Sequence, residues 1–282
     1  MNNNILKNNN TIIIIIFLLF ILFNYIFTNK IEKFENQKKN ILIIGGTSGI
    51  GKEIAEEFSK NHNVVVVGRK KINIPNIKLL QLDLSKKDNL EKMYDYMVLN
   101  YGHLDIVINN FFDYSHSENI DYQINTNLIN SILINKNIFK IMKPSSIILN
   151  VSTGISPSVD SIDDFIDTYA LIKSSIEKYT KILASKIYYR KIGVVCLRID
   201  DSYKTNLTKS YFNEKYYSLK NPNELIKCFN YILNKKWNLV TGKIFKSSDI
   251  LNNKIMTDYD IDLQYKDDNI YKLLKNSNTN LV

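Results

Sequence analysis

The sequence predicts an α/β fold in which a doubly wound parallel sheet is covered by helices on both faces. Three observations support this prediction. From Asn40 onward, short runs of β-branched residues alternate with amphipathic helical stretches, a pattern typical of crossovers between parallel strands. The first of these runs leads directly into a glycine-rich turn. The chain has 282 residues, 45% of them hydrophobic, which suits one large core with appendages.

Seven apolar segments are predicted as strands, and several amphipathic stretches between them as helices. The predicted strands are Ile41–Ile44, Val64–Val67, Lys78–Leu82, Ile106–Ile108, Ser146–Val151, Gly193–Leu197 and Lys243–Lys246. The predicted helices include Gly51–Lys60, Asn89–Leu99 and Tyr169–Ile187. We therefore expect one folded domain over residues 40–249. A basic linker and anchor over residues 1–39 precede it, and a polar tail over residues 250–282 follows it, with a short helix near Tyr271–Lys275.

An apolar run near the amino terminus is unbroken from Ile12 to Phe23 and continues to residue 27. A membrane-spanning helix needs about 17–25 apolar residues, so this run is short but sufficient. A cleaved signal peptide is the alternative, although no small-residue cleavage pattern follows the run. We predict membrane contact through residues 12–27 as an uncleaved single-pass anchor. The larger number of lysines on its carboxyl side favours a cytosolic position for the folded domain.

The formal net charge of +9 is compatible with an acidic partner such as nucleic acid. The lysines are spread along the chain, however, and approach clusters only over residues 30–39 and 69–71. Because no recognition motif accompanies the charge, we predict no nucleic-acid partner.

Cysteine and histidine are too sparse and too scattered to predict a metal site. Cys196 and Cys228 lie far apart in apolar segments, which favours buried structural thiols. The three histidines fall in or near predicted turns. Neither a zinc site nor a Ser-His-Asp site is expected.

The turn after the first strand has the composition of a phosphate-binding turn. Its residues are Gly45-Gly46-Thr47-Ser48-Gly49-Ile50-Gly51, between a β-branched strand and an amphipathic helix. Glycines let the backbone approach a pyrophosphate, whose charge meets the N–H groups at the helix start. We therefore predict a Rossmann-type dinucleotide site formed by Gly45, Thr47, Ser48, Gly49, Ile50 and Gly51. A plain tight turn is the alternative.

The second strand ends in Gly68-Arg69-Lys70-Lys71, which offers cations and no carboxylate. Many NAD sites have an acidic residue at this point that binds the ribose 2′-OH. A guanidinium group instead pairs well with the 2′-phosphate of NADP. NADP(H) is therefore favoured over NAD(H), with Arg69 as the predicted phosphate ligand, and Lys70 and Lys71 are interpreted as a solvated charge run.

Tyr169 and Lys173 stand four residues apart, hence on one face of a predicted helix. A tyrosine with its reference pKa of about 10 is a poor proton shuttle near neutrality. A neighbouring ammonium group lowers the pKa of the phenol, so the spacing suits an acid–base pair. The pattern alone is weak in a chain with 18 tyrosines. Glu177 and Lys181 continue the same spacing, so an exposed amphipathic helix is the alternative.

Taken together and in this order, Gly45–Gly51 and Tyr169–Lys173 resemble the short-chain dehydrogenase/reductase family over residues 40–249. The resemblance implies an NADP(H)-dependent oxidoreductase that interconverts a small-molecule carbonyl and alcohol by hydride transfer. Tyr169 would be the acid/base, and Lys173 would hold the cofactor ribose and tune Tyr169. The resemblance also implies a homodimer or homotetramer that pairs through the helices carrying Asn127 and Tyr169.

Further positions match the family's motifs one by one. The resemblance implies that Asp83 and Leu84 contact the adenine and that Asn109 closes the fourth strand beside the cofactor. Asn127 resembles the catalytic asparagine that holds a water. Thr153 matches the catalytic serine in register, and Ser152 is the conservative alternative. Thr205 matches the residue that contacts the nicotinamide carboxamide.

Two loops depart from the family pattern. Phe111 and Phe112 replace small residues after the fourth strand, and Ile199-Asp200 replaces Pro-Gly after the sixth. These departures motivate a second hypothesis, an NADP(H)-binding scaffold or redox sensor with weak or no catalysis.

Aromatic residues follow Thr205 in the segment where a substrate loop is expected. They are Tyr211, Phe212, Tyr216 and Tyr217. They favour an apolar substrate such as a lipid, steroid or retinoid, with core packing as the alternative interpretation.

Overall fold

The computed structural model describes Phe20, residues 38–157, Asp160 and residues 162–254. In this part of the chain the strands are β1 (Asn40–Ile44), β2 (Asn63–Gly68), β3 (Ile77–Gln81), β4 (Leu104–Asn109), β5 (Met142–Thr153), β6 (Gly193–Ile199) and β7 (Ile244–Lys246). The α-helices are α1 (Gly49–Phe58), α2 (Lys87–Tyr101), α3 (Ile120–Gln123), α4 (Asn130–Ile138), α5 (Asp164–Lys186), α6 (Asn206–Phe212), α7 (Ile226–Leu233), α8 (Trp237–Val240) and α9 (Ser247–Leu251). A π-helical segment, Ile124–Ile129, joins α3 to α4, and short 3-10 turns occupy Phe139–Ile141, Tyr188–Arg190, Asn213–Ser218 and Pro222–Leu225.

The strands form one parallel sheet in the order β3-β2-β1-β4-β5-β6-β7. This arrangement confirms the predicted doubly wound, Rossmann-like α/β fold. The chain leaves β1 toward β2 on one side and later returns to β4 on the other, with Ile44 opposite Asn109. Crossovers therefore diverge between β1 and β4, and the carboxyl ends of these strands border a crevice in which such sheets bind ligands.

The core lies on both faces of the sheet, which explains why the strands read as continuous β-branched runs. Ile41 and Ile43 pack on one face with α1 and α7, whereas Leu42 and Ile44 pack on the other with α2 and α4. All four are almost fully buried. Both cysteines are buried as predicted, Cys196 in β6 and Cys228 in α7.

Helix α5 begins earlier than the sequence predicts, at Asp164 rather than Tyr169. The cause is a side-chain cap, because the backbone N–H of Ile166 donates to Asp163 Oδ1 at 2.8 Å. Tyr169 consequently lies in the second turn of a helix that is already formed, where its side chain is better fixed than at a fraying end.

In the described part of the chain, no helix is long and apolar enough to cross a membrane. This finding contradicts the predicted membrane localisation, a single-pass anchor with a cytosolic catalytic domain. The 23-residue helix α5 has sufficient length, but charged residues recur along it and it packs against β5 and β6. Apart from Phe20, residues 12–27 lie outside the described residues, and so does the predicted helix near Tyr271–Lys275.

Candidate active site

A cleft of about 700 Å³ opens at the carboxyl ends of the central strands. Most residues that the sequence singles out line it, namely Gly45, Thr47, Ser48, Gly49, Ile50, Arg69, Leu84, Ser152, Thr153, Tyr169, Lys173 and Thr205. Four others do not line it, namely Gly51, Asp83, Asn109 and Asn127. The fold thus brings residues from distant parts of the sequence around one cavity.

The glycine-rich turn has the geometry of an anion cradle. Gly45 and Gly49 have φ angles of 79° and 54°, which residues with a Cβ adopt only with strain. Ser48 is the N-cap residue of α1, but its side chain makes no capping hydrogen bond. The first N–H groups of the helix are therefore open to a phosphate, and the turn fits the pyrophosphate of a dinucleotide.

Gly51 serves the turn itself. A Cβ at this position would lie 2.3 Å from the carbonyl oxygen of Gly45. On the opposite wall, the Thr205 methyl group lies 3.3 Å from the position that a Cβ on Gly49 would take. The segment after β6 therefore packs closely over the turn, and Gly49 leaves room for that approach.

Tyr169 and Lys173 both line the cleft, with Lys173 Nζ 5.8 Å from the centroid of the Tyr169 ring. Burial raises the pKa of Tyr169 to about 12, and a hydrogen bond with the Thr153 hydroxyl acts in the opposite direction. Lys173 Nζ donates to the carbonyl oxygen of Val151 at 3.0 Å. Burial lowers the pKa of Lys173 to about 8, against the attraction of the Glu177 carboxylate. The pair can therefore supply a protonated phenol and a nearby ammonium group around neutral pH.

The two candidate hydroxyls after β5 have different surroundings. Ser152 is only 2% exposed, and its hydroxyl lies 3.5 Å from the carbonyl oxygen of Lys173, toward α5. Thr153 is partly exposed and hydrogen-bonds with Tyr169. The Thr153 hydroxyl therefore lies beside the Tyr169 phenol, whereas the Ser152 hydroxyl is buried and directed toward the backbone of α5.

Phe112 covers the Tyr169–Lys173 pair. Its ring meets the Tyr169 ring edge-on, with centroids 4.7 Å apart and planes at 84°, and Lys173 Nζ lies 5.2 Å from its centroid. Phe165 stacks on Tyr169 at 6.3 Å. The first departure from the family pattern thus builds an aromatic cluster around the pair. Neither contact had a signal in the sequence.

A buried ion pair lies one helical turn beyond Lys173. Arg198 Nε and Nη2 donate to Glu177 at 2.8 and 2.5 Å, and the Ser156 hydroxyl donates to Glu177 Oε1 at 2.7 Å. The Arg198 hydrogen bonds and the Ser156 hydroxyl hold the pKa of Glu177 below its usual range despite burial, which acts in the opposite direction. The pair joins α5, β6 and the loop after β5. Glu177 therefore does not belong to an exposed helix face, the alternative interpretation of its spacing.

Arg69 lines the cleft but is already paired. Its Nη1 and Nη2 atoms donate to the two carboxylate oxygens of Asp113 at 2.8 and 3.1 Å. Asp113 comes from the loop after β4, 44 residues away in sequence. The sequence next to Arg69 contains no carboxylate, but the fold brings the Asp113 carboxylate to Arg69 from the loop after β4.

The Asn127 side chain, in the π-helical segment, binds backbone. Its Oδ1 accepts from the N–H of Asp113 at 2.6 Å, and its Nδ2 donates to the carbonyl oxygen of Asp113 at 2.8 Å. Asn109 is likewise buried, and its Nδ2 donates to Asn135 and Asn150 at 3.0 and 3.2 Å. Both asparagines hold elements around the cleft in place.

Of the predicted adenine contacts, Leu84 lines the cleft and Asp83 does not. Asp83 Oδ1 accepts hydrogen bonds from the N–H and hydroxyl of Ser85, while the buried Leu84 lines the cleft. Asp200, in the second departure from the family pattern, also lines the cleft, and its carboxylate binds the first turn of α9. Its carboxylate accepts from the Ser248 N–H at 2.9 Å and from the Ser247 hydroxyl at 2.7 Å.

Two relatives that are similar in sequence to this chain are reductases. The chain is 36% identical over 83 residues to the 3-oxoacyl-[acyl-carrier-protein] reductase of Buchnera aphidicola, covering 26% of this chain and 34% of that protein. It is 25% identical over 183 residues to the 3-ketodihydrosphingosine reductase of Bacteroides thetaiotaomicron, covering 61% and 66%. The matches span less than two thirds of the length of these relatives.

Solved structures share the fold over a larger part of the chain. A short chain dehydrogenase from Shigella flexneri, complexed with NADP, superposes with a TM-score of 0.65 at 19% identity and covers 74% of this chain and 97% of that one. The L-sorbose reductase of Gluconobacter frateurii, complexed with NADPH and L-sorbose, gives a TM-score of 0.63 at 15% identity, with 74% and 95% covered. The sequence model of the short chain dehydrogenases matches residues 39–215, more than half of the chain. The chain belongs to the short-chain dehydrogenase/reductase family of oxidoreductases.

Proposed function

We propose that this protein is an NADP(H)-dependent carbonyl reductase with Tyr169 as its proton donor. The observation that supports this proposal most directly is the hydrogen bond of Tyr169 with Thr153, with Lys173 Nζ 5.8 Å from the Tyr169 ring centroid, in a cleft that the glycine-rich turn also lines. NADP(H) is favoured by the basic end of β2 and by relatives crystallised with NADP or NADPH. The proposed catalytic domain spans residues 40–249.

Bound NADPH would supply the hydride, and residues of this chain would do the rest. The turn from Gly45 to Gly51 would hold the pyrophosphate through its N–H groups. The Thr153 hydroxyl would orient the substrate carbonyl, and the Tyr169 phenol would protonate the oxygen as it becomes an alkoxide. Lys173 would hold the ribose and lower the pKa of Tyr169 by its charge. Ser152, by its position behind Thr153, would support the loop.

Asn127 is proposed to position the loop after β4. Its side chain is committed to the backbone of Asp113, so it would shape the loop that carries Phe112 instead of binding a ligand directly. Leu84 would pack on the adenine from the far wall, and Thr205 would approach the nicotinamide end.

An apolar substrate suits the lining near Tyr169. Ile155, Ile162, Phe165 and Ile166 line the cleft there, with Phe112. Binding of an apolar substrate against this wall is favoured because it removes apolar surface from water. The same wall offers few hydrogen-bond partners to a ligand rich in hydroxyl groups.

The proposal is tested with the purified full chain, NADPH and a panel of carbonyl compounds. We expect NADPH oxidation with long-chain or polycyclic ketones and aldehydes, and a kcat/KM at least about tenfold lower with hydroxylated ketones of similar size. Binding of NADPH without turnover of any carbonyl would contradict the proposal. Preference for the hydroxylated ketones would contradict its apolar part.

The reduction rate is expected to fall as pH rises through about 8. Because the pKa of Lys173 is lowered to about 8, its ammonium form predominates below that pH and is lost above it. The pKa of Tyr169, raised to about 12, keeps the phenol protonated over the same range. The measurement is a pH profile of kcat/KM. Glu177→Gln should move the falling limb to lower pH, because the carboxylate that favours the ammonium is removed; a flat profile to pH ~10 would exclude this role.

A cofactor-binding scaffold or redox sensor is the second candidate, and the Phe112 ring over Tyr169 and Lys173 is the observation that favours it. In such a protein the ring would keep substrate from the pair. Replacing Phe112 with glycine, the smallest residue, should then raise turnover, whereas a reductase should gain little from it.

We also propose that the protein forms a homodimer or homotetramer through α5 and the π-helical segment. Three apolar side chains on these elements are strongly exposed, Ile129 at 41%, Leu171 at 52% and Ile182 at 53%. A second copy that packed against them would remove this surface from water.

A further inference from the structure

Arg69 lines the cleft and forms an ion pair with Asp113 behind it, and the two side chains differ greatly in exposure. The Asp113 side chain is 1% exposed, whereas the Arg69 side chain is 46% exposed. The carboxylate is therefore part of the folded interior, and the guanidinium reaches it from the surface.

Asp113 is fixed from several sides. Tyr122 donates its hydroxyl to Oδ2 at 3.0 Å, and the Ser115 N–H donates to Oδ1 at 2.9 Å. Asn127 holds both the N–H and the carbonyl group of the same residue. Hydrogen bonds therefore hold both the backbone of Asp113 and its two carboxylate oxygens in place. The hydrogen bonds and Arg69 also keep the pKa of Asp113 below its usual range, although burial acts in the opposite direction, so it is charged at neutral pH.

We propose that Asp113 determines how strongly this protein prefers NADPH to NADH, by neutralising the guanidinium of Arg69. This inference rests on the proposed use of a nicotinamide dinucleotide. NADPH and NADH differ only in the 2′-phosphate, which carries a charge of about −1.5 to −2 near neutral pH. A phosphate near Arg69 meets a cation whose charge is cancelled by a fixed anion about 3 Å away.

In this geometry Arg69 can still bind the 2′-phosphate of NADPH, but only weakly. Asp113 accepts one N–H from each of Nη1 and Nη2, and Nη1 also lies 3.5 Å from the Ser115 hydroxyl oxygen, so Nε and the second N–H of Nη2 are the donors that the carboxylate and this hydroxyl leave open. A 2′-phosphate would gain these donors and at the same time experience repulsion from Asp113. The 2′-hydroxyl of NADH experiences no such repulsion. The carboxylate therefore narrows the difference in affinity between the two cofactors, because it weakens the binding of NADPH and leaves that of NADH unchanged.

The test compares the Kd values of NADPH and NADH by isothermal titration calorimetry on the full chain. In Asp113→Asn the charge is removed while the shape is kept, and the side chain can still bond Tyr122 and Ser115. We expect the ratio of the NADH Kd to the NADPH Kd to rise about tenfold, mainly through tighter NADPH binding. Thermal unfolding monitored by circular dichroism establishes that the variant is folded.

A second comparison measures the effect of the Asp113 carboxylate on the same Kd ratio when the Arg69 guanidinium is absent. Arg69→Gln should lower the ratio, because Asp113 is then uncompensated, and Arg69→Gln combined with Asp113→Asn should raise it again about tenfold. Asp105→Asn is the matched control. Asp105 lies at the amino-terminal end of β4, opposite the carboxyl ends that border the cleft, and pairs with Lys143. Its replacement removes one carboxylate and should leave the ratio unchanged.

The outcomes separate this inference from the proposed function. A ratio that stays constant or falls in Asp113→Asn, while both cofactors still bind, overturns the role of Asp113 and leaves the reductase proposal intact. A ratio that rises equally in Asp105→Asn also overturns it, since net charge alone would then be sufficient. If the unsubstituted protein binds neither cofactor, the proposed function fails and the inference fails with it.

Discussion

Replacement of Tyr169 by phenylalanine is expected to lower the rate of carbonyl reduction by about 10²–10⁴-fold while NADPH still binds. The change removes the Tyr169 hydroxyl, which hydrogen-bonds with Thr153 and which we assign as the proton donor. It removes little volume, so the ring contacts with Phe112 and Phe165 persist. The loss should appear in kcat and not in the Kd of NADPH, because the phenol acts in the transition state.

Tyr179 provides a matched control for this substitution. It lies on the same helix, α5, and its hydroxyl donates to the carbonyl oxygen of Ile132 at 3.4 Å, away from the cleft. Burial raises the pKa of Tyr179 to about 12, as for Tyr169, so the two phenols differ mainly in position. Tyr179→Phe should reduce activity less than about twofold. If Tyr169→Phe retained comparable activity, another group would have to be the acid.

The fold class followed from the sequence because strand runs and the glycine-rich turn are local signals. A parallel strand covered on both faces must be apolar throughout, as Leu42 and Ile43 show by packing on opposite sides. The start of α5 was predicted five residues late because capping by Asp163 depends on backbone geometry that periodicity does not encode. The predicted membrane localisation, which rested on the length of one apolar run and its flanking lysines, was wrong, since no helix in the described part of the chain is long and apolar enough to span a membrane.

The candidate site was predictable where its residues lie close in sequence, as in the turn at Gly45–Gly51 and the Tyr169–Lys173 pair. Long-range partners were not. Asp113 reaches Arg69 across 44 residues, and Phe112 reaches Tyr169 only because β4 and β5 are neighbours in the sheet. Spacing on a helix also left open whether Glu177 faces water or the interior. The sheet behind α5 decides this, because it supplies Arg198.

Replacement of Glu177 by methionine is expected to lower the free energy of unfolding by about 3–5 kcal/mol. Both side chains of the Glu177–Arg198 pair are largely buried, at 8% and 15% exposure. The substitution would deprive the Arg198 guanidinium of the carboxylate that neutralises it, within a region that water reaches poorly. Urea unfolding followed by circular dichroism gives the free energy directly, provided that the transition is two-state.

The double variant with methionine at both positions distinguishes a charge effect from a packing effect. Because two apolar side chains of similar length leave no buried charge, it should recover most of the stability, to within about 1–2 kcal/mol of the unsubstituted protein. A single variant that loses less than about 1 kcal/mol would mean that the pair is solvated and stabilises little. The double variant should nevertheless stay impaired in catalysis. Glu177 also accepts from Ser156 and favours the charged form of Lys173, and methionine provides neither interaction. Recovery of stability without recovery of the pH limb near 8 would show that the same carboxylate both joins α5 to β6 and maintains the charge of Lys173.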